Sequence, residues 1–202
     1  MLDRRVGLIG EVAWSQYAVF IPFIKQDGDL SILFQKRAKN VAQAGEISFP
    51  GGKLEAGETS LTAAIRETRE ELLVGDSQLE ILLPGDVFLT PGGRKIEPFI
   101  GSIEDYQGSF SKDEVEEVFA IPYKELLHME AKRTTNKVFL DLDKNFPFSD
   151  IPYGKDYPWQ MGSYDILFYY WKNYVIWGIT ARILESALEL IKEHQLIQRI
   201  NI

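Results

Sequence analysis

With 202 residues the chain has room for one large domain or two small ones, and no Ser-, Gly- or Pro-rich linker interrupts it, so residues 1–202 are expected to form a single domain. A formal charge of −8 argues against a general nucleic-acid binder, whose phosphate contacts need a basic surface, but leaves a small anionic partner open where a bound metal reverses the local field. The absence of cysteine excludes disulfides, thiolate catalysis and cysteine-built zinc sites, while 45% hydrophobic and 12% aromatic residues supply a substantial core. Neither a signal peptide nor a membrane span is expected. Met1-Leu2-Asp3-Arg4-Arg5 is not followed by a clear apolar stretch and cleavage site, and the most hydrophobic region, 166–184, is broken by Lys172, Asn173 and Arg182. Cytoplasmic location is the default expectation.

Tyr17–Ile24 reads as a strand in which Pro22 points to an edge or a bulge. Gln26–Asp29 supplies turn residues, and Leu30–Gln35 returns as a second strand. Lys36, Arg37 and Lys39 follow, either as a solvated basic loop or as anion contacts. Gly45–Gly52 joins a short strand to an abrupt turn where glycine lets the backbone approach a ligand. A helix then opens near Thr59 or Ser60, whose hydroxyl can cap free N–H groups. Leu61, Ile65, Thr68 and Leu72 have the spacing of its buried stripe. Glu67, Glu70 and Glu71 fall at i, i+3 and i+4, on one face expected to point away from that stripe. Carboxylates this close repel one another, and a hard divalent cation such as Mg²⁺ removes the penalty. A solvated acidic face neutralised by pairs such as Arg66–Glu70 is the alternative.

Further on, Leu79–Leu83, Gly85–Leu89 and Ile96–Gly101 read as strands, with a tight turn at Thr90–Arg94. The acidic run Asp113–Glu117 leads into Val118–Pro122, and Tyr123–His128 forms a short helix. Lys137–Leu142 is a strand candidate. Asp143–Gly162 is the most loop-like section, and its Tyr153, Tyr157 and Trp159 suit loop anchoring or stacking on a base. Ile166–Trp171 and Tyr174–Trp177 pair around Lys172-Asn173. The last element, Thr180–Lys192, is a helix with Ile183, Leu184, Ala187, Leu188 and Ile191 facing the core. His128 and His194 sit in helix-like stretches and suit surface or capping roles. Strands on both sides of one acidic helix, closed by a terminal helix, imply an α/β sandwich.

Gly52, five residues, Glu58, seven residues, then Arg66-Glu67-x-x-Glu70-Glu71 resembles the Nudix box of Nudix hydrolases, here spanning residues 52–74. Six specified positions at fixed intervals make the signal specific. Thr68 stands where an aliphatic residue is usual, and its methyl can still pack. Leu73 replaces the usual glycine, which implies a helix end without the left-handed turn that glycine permits. Gly45–Gly52, Glu114–Pro122 and Ile176–Arg182 look like segments of the coenzyme A pyrophosphatase branch. The match there is partial, because Ile32–Ala38 and Val41-Ala42 stand where that branch carries Leu-Leu-Thr-x-Arg-Ser and Leu-Arg.

The resemblance implies a Nudix-type α/β/α sandwich with a mixed sheet and a C-terminal helix. It implies metal-dependent hydrolysis of a nucleoside diphosphate linked to another group, with coenzyme A or its derivatives as the leading substrate. ADP-ribose, nucleotide sugars, dinucleotides or oxidised nucleoside triphosphates are alternatives within the class, and a non-catalytic metabolite sensor is the alternative outside it. Glu67, Glu70, Glu71 and the Gly52 carbonyl are then the expected ligands of Mg²⁺ or Mn²⁺. Glu58 is expected to hold Arg66 behind them, and Glu114 is the distal candidate for general base, ahead of Asp113, Glu116 and Glu117. Arg37, Lys36, Gly51 and Gly52 are the expected substrate contacts. The partner is a small anionic nucleotide, with no nucleic acid or membrane, and exposed edge strands allow a homodimer.

Overall fold

A computed structural model describes residues 9, 10 and 13–200. The Met1–Arg5 segment read above therefore lies outside the described residues. The elements run β1 (Ser15–Gln26), β2 (Asp29–Arg37), β3 (Ile47–Ser48), β4 (Gly51–Lys53), α1 (Ser60–Leu72), β5 (Leu79–Pro84), β6 (Phe88–Leu89) and β7 (Arg94–Ile103). They continue with β8 (Val115–Pro122), α2 (Tyr123–Leu126), β9 (Lys132–Val138), β10 (Gly162–Trp171), β11 (Tyr174–Trp177) and α3 (Gly178–Glu193). Among the described residues no helix is long and apolar enough to cross a membrane.

The main sheet is mixed. Its path is β3-β2-β1-β7-β5, with β1 and β7 parallel and the other pairs antiparallel. One edge of β1 serves two partners: Tyr17–Val19 pairs with β4, and Phe23–Gln26 pairs with β2. Pro22 lies in the gap between them, so its missing N–H marks a change of partner in a central strand rather than a sheet edge. Pro98 does the same in β7, between the residues that pair with β6 and those that pair with β5.

The period-2 alternation of β1 feeds two cores. Ala18, Phe20 and Ile24 pack with Ala63, Ala64 and Leu72 of α1. Ile21 and Phe23 belong to the opposite core, which includes Leu184, Ala187 and Ile191 of α3. Helices on both faces of one sheet make the expected α/β/α sandwich. A three-stranded antiparallel sheet, β9-β10-β11, joins the α3 side through Leu167, Tyr169 and Ile176. Truncating a fully buried side chain such as Ile21 to Ala is expected to cost about 2–5 kcal/mol.

Several expectations need correction. The buried stripe of α1 is Ala63, Ala64, Thr68, Glu71 and Leu72, whereas Leu61 is 38% exposed. The two alanines let the helix lie close on the sheet, and that closeness draws Glu71 inward, to 3% exposure, rather than away from the core. Thr68 donates its hydroxyl to Ala64 O at 2.6 Å, so a polar residue is tolerated at this fully buried position. Leu73 adopts the left-handed conformation, φ 53° and ψ 45°, so the turn exists without glycine. In the 85–89 region Phe88 and Leu89 pair with β7 and Gly85 N donates to Pro98 O at 2.7 Å, while Asp86 between them accepts from Ser186 of α3 at 3.0 Å. Finally, β9 covers 132–138 rather than 137–142. Thr134, Thr135 and their polar neighbours pair with β10, and the apolar Phe139 and Leu140 fall beyond the register and stay exposed.

Candidate active site

Thr59 caps α1, its Oγ1 accepting from Thr62 N at 3.2 Å, and the helix then runs along β4 and β1. The glycine turn is shaped to receive it. Gly51 has φ +146°, and a Cβ there would meet Ala18 O at 2.3 Å. A Cβ on Gly52 would meet the Glu67 carboxylate at 2.3 Å, so the bare backbone is what lets that carboxylate lie against the turn.

Arg66 organises the acidic face. Its Nε and Nη2 donate to the two oxygens of Glu58 at 3.0 and 3.1 Å, a bidentate pair, and Nη2 reaches Lys53 O at 3.3 Å. Its Nη1 donates to Glu67 at 2.9 Å and to Glu70 at 3.2 Å. The hydrogen bond with Glu58 is the main influence raising the Arg66 pKa, so the guanidinium is a fixed cation. Glu58 is held below the ordinary carboxylate range by Arg66 first and by the Glu55 N–H second. Glu67 is shifted upward because burial outweighs Arg66. Glu71 is pushed up to about 7 by burial, although Gly51 N donates to it at 2.8 Å. The Gln35 carboxamide also favours the ionised form of Glu71, yet neither of its polar atoms reaches a hydrogen bond of ordinary geometry among the described residues.

Glu67 and Glu71 border a cleft of about 590 Å³ between α1 and the start of α3, while Arg66 and Glu58 stay outside its lining. Glu67, Glu71 and Glu114 face it with Gly51 and Gly52, and Arg37 and Arg94 supply positive charge. The loop carrying Glu114 is pinned to the end of α1. Ser109 Oγ donates to Leu72 O at 2.7 Å and Ser111 N to Glu71 O at 2.8 Å, which satisfies free helix carbonyls. Not every predicted residue joins this cleft. Glu70 is solvent-facing and held by Arg66, and Lys36 is paired with Glu116 at 2.8 Å beside a neighbouring cavity. Glu117 accepts from Tyr174 at 3.4 Å, and Asp113 offers its carbonyl to Asn40 at 2.9 Å. Both histidines are exposed. Phe146, Tyr157 and Trp159 pack on one another and anchor their loop, with ring centroids 4.7–5.6 Å apart.

Reading the sequence missed Gln35, Arg94 and the first residues of α3, Gly178, Ile179 and Thr180, which also line the cleft or abut its carboxylates. The only available hint for Arg94 was its place at the end of a tight turn.

The donor set suits a hard cation: carboxylate oxygens and a backbone carbonyl at a glycine that no side chain hides. Like-charge repulsion from Glu70 and Glu114 on Glu67, and from Glu67 on Glu71, is a charge excess that a cation would relieve. Among the described residues, however, no three acidic or imidazole groups already converge to cage an ion. Arg66 draws Glu67 and Glu70 together, and Gly51 holds Glu71 apart.

The fold sets one carboxylate-rich helix against a glycine turn. Residues 14–142 match the NUDIX domain family, and the chain belongs to that family and is a pyrophosphohydrolase. It is 30% identical over 180 residues to the uncharacterised Nudix hydrolase NudL of Escherichia coli O7:K1, covering 87% of this chain and 82% of that protein. It is also 30% identical over 117 residues to the peroxisomal coenzyme A diphosphatase NUDT7 of Mus musculus, covering 56% of this chain and half of that protein. A MutT/nudix family protein from Enterococcus faecalis, at 14% identity, superposes with a TM-score of 0.51 over 98% of this chain and 65% of that one, a likeness of fold.

Proposed function

We propose that the protein hydrolyses the diphosphate bond of coenzyme A or its thioesters, giving 4′-phosphopantetheine and adenosine 3′,5′-bisphosphate. The observation that carries the reading is the meeting of opposite charges in one cleft. Glu67, Glu71 and Glu114 line it together with Arg37, Arg94 and the N-terminal end of α3. Free N–H groups at a helix start favour phosphate oxygens, and no side chain caps α3. The coenzyme A diphosphatase among the relatives, and the segments 45–52, 114–122 and 176–182, support the choice of substrate within the class.

Mg²⁺ or Mn²⁺ would be held by Glu67 and Glu71, joined by Glu70 and the Gly52 carbonyl. When bound, the ion screens the diphosphate charge and makes water a better nucleophile. The chain's own groups do the rest. Arg66, fixed by Glu58, holds Glu67 and the more exposed Glu70 side by side. Arg37 and Arg94 neutralise phosphate oxygens in the cleft. Glu114 faces the same cleft as Glu67 and accepts the proton of the attacking water.

Incubation with coenzyme A and Mg²⁺ or Mn²⁺ in ¹⁸O-labelled water, followed by product identification, tests this reading. The expected products are the two named, one of them carrying the label on phosphorus. Comparable turnover of ADP-ribose with none of coenzyme A would overturn the assignment.

A further inference from the structure

Beside the catalytic cleft lies a second cavity of about 910 Å³, and Glu46, Ile47 and Trp177 line both. Its far wall is built by β10 and β11, which lie outside the residues matching the family. Side chains alternate on these strands: Leu167, Tyr169 and Ile176 point into the core, while Phe168, Tyr170, Val175 and Trp177 face the other way. On that outer face the rings form a rank. Phe168 lies parallel to Trp177, 9° between planes with centroids 6.0 Å apart, and Tyr170 continues the rank at 16° and 6.5 Å. Trp177 remains 41% exposed in spite of its contact with Phe168.

The charge in this cavity is balanced, and both of its lysines are already engaged. Lys36 is bound to Glu116 at 2.8 Å and approaches Glu117 at 3.8 Å, and Lys172 stacks over the Trp171 ring at 3.9 Å. Glu46 and Glu117 present carboxylates at the walls. Carboxylates repel an anion but accept hydrogen bonds from an exocyclic amino group, and flat rings with an exposed face suit a flat heterocycle. We infer that this cavity seats the nucleobase of the substrate, an amino-bearing purine stacked on Trp177, while the diphosphate lies in the adjoining cleft. The inference rests on the proposed reading only for the seat of the diphosphate. Specificity then comes from strands appended to the common catalytic core.

The test is calorimetric titration with adenosine 5′-monophosphate in the presence of Mg²⁺, since this probe has no anhydride to cleave. Ribose 5-phosphate serves as the baseless control. Wild type is expected to prefer the nucleotide by tenfold or more; Trp177→Ala removes that preference and Trp177→Phe keeps it to within about threefold. Ribose 5-phosphate binds all three proteins alike, and KM for coenzyme A rises about tenfold in Trp177→Ala. Wild type that does not distinguish the two probes, or Trp177→Ala that still does, overturns the inference, including the case where Trp177→Ala merely lowers Tm. Base preference that depends on Trp177, without turnover of coenzyme A, sinks the substrate assignment and leaves the base site standing.

Discussion

A carboxylate at 3% exposure favours the fold in its neutral form until a cation joins it. Glu71, with its pKa pushed from 4.5 to about 7 by burial, therefore gives a signed prediction. A raised acid pKa contributes stability in full below about pH 4.5, and that contribution is lost as pH rises through about 7. In chelator, Glu71→Gln keeps the acceptor for Gly51 N and is expected to exceed wild type in stability at pH 8 by roughly 2–3 kcal/mol. The advantage should shrink toward pH 4.5 in parallel thermal melts, while turnover of the same variant with Mg²⁺ falls at least a hundredfold. Arg66→Lys retains a charge but forfeits the fork that grips Glu58, so Mn²⁺ affinity by spin-resonance titration should drop about 10–100-fold. Spacing put the box glutamates on one helix face, and the resemblance to the Nudix box supplied their expected role. Gln35 and Arg94 could not be read in this way, because one polar residue within a strand or at a turn carries no period, and only the folded chain brings Gln35 near Glu71.

The left-handed Leu73 makes the end of α1 the clearest case at the scale of elements. A non-glycine residue in that conformation costs about 1–2 kcal/mol, part of which glycine returns through its greater freedom when unfolded. Leu73→Gly should therefore raise stability by about 0.5–1 kcal/mol, or ~1–4 °C in Tm, without changing turnover. In the same helix end, Ser109→Ala leaves Leu72 O without its donor and should cost about 1 kcal/mol. Loss of activity beyond loss of stability would report that Glu114 has moved, since Ser109 and Ser111 fix its loop. Elements with a clean period, such as β1, β2, α1 and α3, were legible within two residues. The strand β9 was not, because its exposed Lys, Arg, Thr and Asn residues show no alternation, and the nearby run Val138-Phe139-Leu140 drew the expected strand forward. The Glu71 error has a similar origin: helical spacing says which residues share a face, but not how far round the helix two alanines allow the sheet to reach.

Across the whole molecule, the proposed metal and nucleobase sites come from different parts of the chain. The glycine turn and α1 lie within the family-matched segment, whereas the late sheet and α3 close the cleft from outside it. No local sequence pattern announces that closure, because it depends on contacts such as Thr180 Oγ1 donating to Ile47 O, 133 residues away. The account stands on hard-oxygen ligation at the meeting of those parts. The most direct measurement is an anomalous-difference map from crystals of the active enzyme soaked in Mn²⁺. The account predicts a peak bonded to Glu67 and Glu71 beside Gly52, lost in Glu67→Gln. An Mn²⁺ peak elsewhere, with that cleft bare while the enzyme still requires the ion for turnover, would contradict it.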